Sequence, residues 1–111
     1  METITWADFE RVELRAGTIV RVEDFPKAKK PAYRLWVDLG ELGIKKSSAQ
    51  ITHLYDKSGL IGRQVICVVN FPPRQVADFM SEILVTGFVQ ADDGVVLAVP
   101  DKPVPNGLRL A

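Results

Sequence analysis

An all-β barrel is the fold class that the sequence predicts, and three observations predict it. Several segments alternate apolar and polar residues with a period of two, turn signals recur at short intervals, and nowhere is there room for a strand-helix-strand crossover. One helical turn falls between the third and fourth strands. Among small barrels that order is the OB arrangement, whose sheet face and loops bind oligonucleotides and other extended ligands. The expectation is a five-stranded OB barrel with a short N-terminal helix and C-terminal extension strands. Residues 1–111 form it as a single domain, because the chain has no internal repeat, low-complexity tract or linker-like change of composition. A chain of 111 residues, 47% hydrophobic, is long enough for one core, and size scaling has it bury roughly two-thirds of its unfolded surface.

The elements follow in order. Thr5 is placed to cap a short helix, with Asp8 answering as a variant capping box and Ile4 able to staple against Phe9. From Val12 to Val22 the even positions are mostly apolar and the odd ones mostly polar or Gly, which predicts a long half-buried strand. Pro26 and Pro31 bound a loop, after which Tyr33, Leu35, Val37 and Leu39 alternate with Arg34, Trp36 and Asp38 as a second strand. Ile44 to Ile51 has strand-like ends and a polar middle, as expected of a strand whose outward face meets water or a ligand. Thr52 can cap one helical turn through Tyr55, closed by Ser58-Gly59. Val65 to Val69 is apolar throughout, which predicts the central strand, covered on both faces. Pro72 and Pro73 end it, since neither can donate to a ladder. Strand character resumes from Ile83 to Val89, Asp93-Gly94 predicts a hairpin before Val95 to Val99, and Asn106-Gly107 reads as a turn.

Composition excludes several functions. The longest apolar runs, Val65 to Val69 and Val95 to Val99, are five residues each, far short of the roughly 18 a membrane helix needs. The first residues carry acids where a signal peptide carries bases, and no apolar segment follows them. No membrane insertion and a cytoplasmic location are expected. Catalysis needs a nucleophile, a base and an orienting partner within reach, whereas the chain offers one histidine, His53, in an expected surface turn, and one cysteine, Cys67, inside an apolar strand. Two such residues cannot build a four-ligand zinc site, and Gly40 and Gly43 lack the Lys-Ser/Thr pair of a phosphate loop. The reading is a protein that is not an enzyme and takes no cofactor.

Net charge is zero, yet its distribution is uneven: residues 1–24 carry −3, residues 25–77 carry +6 and residues 78–111 carry −3. The basic middle holds Lys27, Lys29, Lys30, Lys45, Lys46 and Arg74, which suit phosphates. Ser47, Ser48, Gln50, Asn70, Ser81 and Glu82 supply hydroxyls, amides and a carboxylate along one expected barrel face. Such groups bond phosphate, sugar or peptide without demanding a sequence. Phe71, Phe79 and Met80 stand beside them in a proline-bearing loop. Two readings of these three are open: packing beneath the loop, or exposure, which would suit stacked bases or the apolar side chains of an unfolded peptide.

Five segments resemble the tRNA-binding-domain family, within it the CsaA branch: Leu14 to Ile19, Ser47 to Thr52, Val68 to Arg74, Ser81 to Val85 and Pro100 to Gly107. The resemblance implies an OB-fold homodimer with the N- and C-terminal extensions around its interface. It further implies a chaperone of protein export that binds unfolded preproteins and the export ATPase. The tRNA-binding relatives carry Asn-Leu-Lys-Pro and a Ser-x-Gly-Met turn, where this chain has Phe71-Pro72 in place of Leu-Lys and Glu82-Ile83 in place of the turn. Fewer cations and more apolar surface at that point shift the expected ligand from phosphate towards peptide. Two functions stand side by side. One is a peptide-binding chaperone using Ser47, Ser48, Gln50, Asn70, Phe71, Phe79 and Met80. The other is a tRNA-binding protein using Lys27, Lys29, Lys30, Lys45, Lys46, Arg74 and Ser81.

Overall fold

The computed structural model describes residues 1–111. Helix α1 (Trp6–Glu10) is capped as its sequence requires: Asp8 N–H donates to Thr5 Oγ1 and Thr5 N–H to Asp8 Oδ2. The helix buries none of its residues, and Ile4 is exposed instead of being stapled to it.

Four long strands form most of the barrel wall: β1 (Leu14–Asp24), β2 (Tyr33–Asp38), β3 (Ile44–Ala49) and β4 (Gln64–Val68). Helix α2 (Lys57–Leu60) lies between β3 and β4. Its cap is Asp56, whose carboxylate accepts from Gly59 N–H at 2.8 Å, so the helix is capped four residues beyond the Thr52 expected from the sequence. Short strands follow: β5 (Arg74–Val76), β6 (Phe79–Ser81), β7 (Leu84–Val85), β8 (Gly87–Val89) and β9 (Val95–Leu97). The main sheet runs β3-β2-β1-β4-β7, all antiparallel, and is a nearly closed five-stranded OB barrel. β1, not β4, is therefore the central strand. It is long enough to pair with β2 through its second half and with β4 through its first.

A bulge at Val20 breaks the even alternation expected along β1. Ile19 pairs with Val37 and Arg21 with Trp36, so Val20 is the extra residue and the inward phase shifts by one. Ile19, in the same phase as Gly17, is buried, Val20 and Arg21 face out, and only beyond the bulge do the even residues turn inward as expected. Before the bulge the inward position is Gly17, and only glycine fits there: a Cβ would lie 2.5 Å from Val37 Cγ1 and 2.7 Å from Leu39 Cδ2. The core is one cluster of twelve residues, including Ile19, Leu35, Val37, Leu39, Leu60, Val65 and Cys67. Cys67 packs as a hydrophobe, and burial pushes its thiol pKa up to about 12.

The C-terminal segment closes the unpaired edge of β1. Ala16 N–H donates to Leu108 O, Gly107 N–H to Ala16 O and Leu110 N–H to Leu14 O. Side chains fix the strap in place: Gln64 bonds Val104 through both ends of its amide, and Arg15 donates to Gly107 O at 2.9 Å. Arg15 also hydrogen-bonds Glu13, holding that carboxyl below its ordinary value.

Candidate polymer-binding faces

β3 divides the predicted residues between two sides of the wall. Side chains alternate along a strand, and the register pairs Lys45, Ser47 and Ala49 with the inward residues Val37, Leu35 and Tyr33. Ser47 is buried, its hydroxyl donating to Ser48 O. Lys45, at the open end of the barrel, instead reaches the rim of a cleft of about 290 Å³. Leu39, Leu42, Val69, Phe71, Pro73 and Ile83 make the cleft apolar, with Lys45 and Glu82 as its charged groups. Phe71 is 54% exposed, because the two prolines after it end the ladder and leave its ring on the loop.

Asn70 anchors that loop. Its Oδ1 accepts from Glu13 N–H at 3.0 Å and its Nδ2 donates to Arg11 O at 2.7 Å, so both ends of the amide are engaged within the chain. Ser81 and Glu82 are likewise engaged, at the seam where the barrel closes. Glu82 N–H donates to Lys46 O at 2.8 Å, while Lys46 N–H donates to Glu82 Oε1 and Ser48 N–H to Ser81 Oγ, both at 3.1 Å. These side chains occupy the donors that an edge strand would otherwise offer to a neighbour.

The outward side carries Lys46 and Ser48 of β3, Arg34 and Trp36 of β2, and Arg21 and Glu23 of β1. Register sets Arg21, Trp36 and Lys46 side by side across three strands, with Glu23, Arg34 and Ser48 as the next row. The Arg21 guanidinium lies 4.3 Å from the Trp36 ring centroid, and Glu23 hydrogen-bonds Arg21 and pairs with Arg34. Against one end of this side packs a second small cluster of Phe25, Ala32 and Phe79, whose rings meet Trp36, Arg34 and Lys46. Phe79 is only 6% exposed and meets Phe25 and Trp36 edge-on at 5.5 and 5.8 Å between centroids. Of the two readings of the loop apolar residues, packing therefore holds for Phe79 and exposure for Phe71 and Met80.

Strands β5 and β6 form a hairpin, turned at Ala77 with φ 52°, that carries Met80 outward and Phe79 inward. Lys27 pairs with Asp78 of this hairpin at 3.0 Å and holds the Asp78 carboxyl below its ordinary value through that hydrogen bond. Lys29, Lys30, Lys45, Lys46 and Arg74 make no ion pair. Gln50 is exposed just beyond β3. Arg21, Arg34 and Trp36 are absent from the sequence-based site. The signal was present in the polar phase of β2, where a tryptophan stands at a position that ought to face water.

The tRNA binding domain family matches residues 14–109, and the chain belongs to it. Two solved structures of CsaA chaperones are similar over nearly the whole chain. The one from Bacillus anthracis is 47% identical, with a TM-score of 0.95 over 99% of this chain and 100% of that one. The one from Picrophilus torridus is also 47% identical, with a TM-score of 0.92 over 98% and 100%. The methionine–tRNA ligase of Thermococcus onnurineus is 35% identical over 112 aligned residues, which cover 99% of this chain and 15% of that protein. The chain thus spans about 15% of the length of that enzyme. No helix is long and apolar enough to cross a membrane.

Proposed function

We propose that this protein is a non-catalytic, homodimeric chaperone resembling CsaA, which binds unfolded or pre-secretory polypeptides in the cytoplasm and delivers them to the export machinery, its ATPase included. The observation that carries the reading is the cleft at the barrel mouth. Its floor is apolar core, its wall is the half-exposed Phe71 ring, and its charged groups are a lysine and a carboxylate. An apolar side chain of an extended peptide gains by burial there, while Lys45 and Glu82 can bond its backbone or charged neighbours. For the dimer, exposed apolar residues lie on adjoining segments: Ile4 and Trp6 at α1, and Leu108 and Leu110 on the strap. Arg109 Nη2 joins the two segments by donating to Glu10 O at 2.7 Å. A second copy would cover this surface.

A second reading, tRNA binding, is favoured by the family itself and by the unpaired cations Lys29, Lys30, Lys46 and Arg74. The two are separated by titrating an unfolded preprotein and tRNA at low and moderate salt. Burying one Phe-sized side chain contributes about 1.5–3 kcal/mol, so Phe71→Ser should weaken peptide binding by about tenfold or more while salt changes it little. Binding of tRNA that collapses with salt, without detectable peptide binding, would sink the chaperone reading.

A further inference from the structure

We infer, resting on the peptide reading of the cleft, that Asn70 is a positioning residue: its amide fixes the Phe71 wall to the junction of α1 and β1, which Arg109 holds from the C-terminal strap. Asn70 thereby acts through Phe71, and not by the direct contact with peptide expected from the sequence.

The loop that carries the wall has few other ties. Pro72 and Pro73 have no N–H, and within residues 70–73 the only hydrogen bonds are the two made by the Asn70 amide. Phe71 and Pro73 line the cleft, and the Phe71 ring is 54% exposed. A half-exposed ring on such a loop has several settings open to it, and ordering it when peptide arrives costs affinity. Fixing the residue before it lowers that cost in advance. An amide suits the task because it accepts at one end and donates at the other. Oδ1 accepts from Glu13 N–H at 3.0 Å and Nδ2 donates to Arg11 O at 2.7 Å, so the planar group is held at both ends.

The segment that Asn70 grips is itself held. Val69 N–H donates to Glu13 O at 3.0 Å, which carries the β1–β4 ladder one bond further, to the base of the loop. From the strap, Arg109 Nη2 donates to Glu10 O at 2.7 Å and pairs with Glu13 at 3.3 Å. Neither Arg109 nor Glu10 lines the cleft. Arg109, Glu13, Asn70 and Phe71 thus join the end of the chain to the wall of the site in three steps.

The test measures anisotropy of a labelled peptide of polar residues around a single phenylalanine, at one protein concentration at which all variants sediment alike. Asn70→Ala should weaken binding by about fivefold, within the net worth of one hydrogen bond, and Arg109→Gln by a smaller factor. The double variant should bind no more weakly than Asn70→Ala, because without the amide the junction no longer reaches the wall. Arg109→Lys, which keeps a donor for Glu10 O, should restore most of the loss. Glu10→Gln should match the parent, since only the Glu10 carbonyl is used. Should Asn70→Ala fail to fold, Asn70→Asp, which keeps the acceptor and loses the donor, takes its place.

A second readout needs no peptide. In protein labelled with fluorophenylalanine, the fluorine resonance lost in Phe71→Ser belongs to Phe71. It should shift in Asn70→Ala and in Arg109→Gln, while those of the buried rings Phe25 and Phe79 stay in place. An unmoved Phe71 resonance in Asn70→Ala overturns the inference. So does peptide binding that falls in Asn70→Ala but not in Arg109→Gln, the pattern of a direct contact, or a double variant that loses the sum of both effects. If no variant binds peptide, the parent included, the chaperone reading fails and the Phe71 resonance decides whether Asn70 holds the wall.

Discussion

Phe71 precedes the β5–β6 hairpin and Phe79 lies within it, eight positions further on, and truncating each should have consequences of very different size. Phe79 is buried to 6% exposure among Phe25, Ala32 and Trp36. Buried Phe to Ala costs about 3–5 kcal/mol, and each edge-on aromatic contact adds about 0.5–1.5 kcal/mol beyond burial. The cluster is small and near the surface, so water can enter the space and the lower figure, about 3 kcal/mol, applies. With an unfolding entropy of about 2.1 cal/mol/K per residue, that loss in a chain of 111 residues lowers Tm by about 13 °C. Phe71, half in solvent, should behave as a surface substitution worth less than about 0.5 kcal/mol, or about 2 °C. The assay is thermal melting by circular dichroism at one fixed protein concentration, since association shifts Tm. If Phe79→Ala melts within about 4 °C of the parent, or Phe71→Ala melts as low as Phe79→Ala, the division of these rings between core and cleft is wrong.

Gly17→Ala should destabilise by about 1–3 kcal/mol, the cost of overpacking, because its Cβ would meet Val37, Leu39 and Asp38 O at 2.5, 2.7 and 3.0 Å. A lower urea midpoint at unchanged slope would show it, and an unchanged midpoint would contradict it. Cys67, with its thiol pushed to about 12, should resist alkylation at pH 8 in the native protein and react promptly in denaturant. Labelling of the folded protein at the denatured rate would mean an open site. Glu13 is held below its ordinary value of 4.5, chiefly by the Arg15 hydrogen bond. A lowered folded pKa contributes stability above the unfolded value, and that stability is lost as pH falls through the folded one. The Tm difference between the parent and Arg15→Gln should therefore be constant near neutrality and narrow below about pH 4; a difference that widens on acidification would refute the sign.

Elements whose residues state their own geometry were legible in the sequence. Thr5 and Asp8 form the capping box, Asp93-Gly94 turns the β8–β9 hairpin, and β2 follows its alternation from Tyr33 to Asp38. What escaped depends on partners distant in the chain. The Val20 bulge is defined only against Val37 and Trp36, and no local residue marks it. The β5–β6 hairpin turns at Ala77, a residue with no preference for positive φ, so the pattern predicted a loop there. Helix α2 is capped by Asp56 and not Thr52 because either residue can cap, and burial of Leu60 in the core selects the later turn. At the site, the loop apolar residues could not be sorted by pattern. Phe79 turns inward because β6 pairs with β5 in a register that faces it to Phe25, which only the folded sheet defines.

The basic middle of the chain is likewise not one patch once folded. Of its nine cations, Lys27, Arg34 and Lys57 are paired with Asp78, Glu23 and Asp24, acids from the two flanking acidic segments. The charge separation seen along the sequence is thus partly cancelled across space, which lowers the number of phosphates a polyanion could engage and with it the salt-dependent affinity. The cations left unpaired are divided again by the alternation of β3, which sends Lys45 to the apolar cleft and Lys46 to the row with Trp36. Two residues adjacent in sequence, alike in charge, thereby serve surfaces with different chemistry.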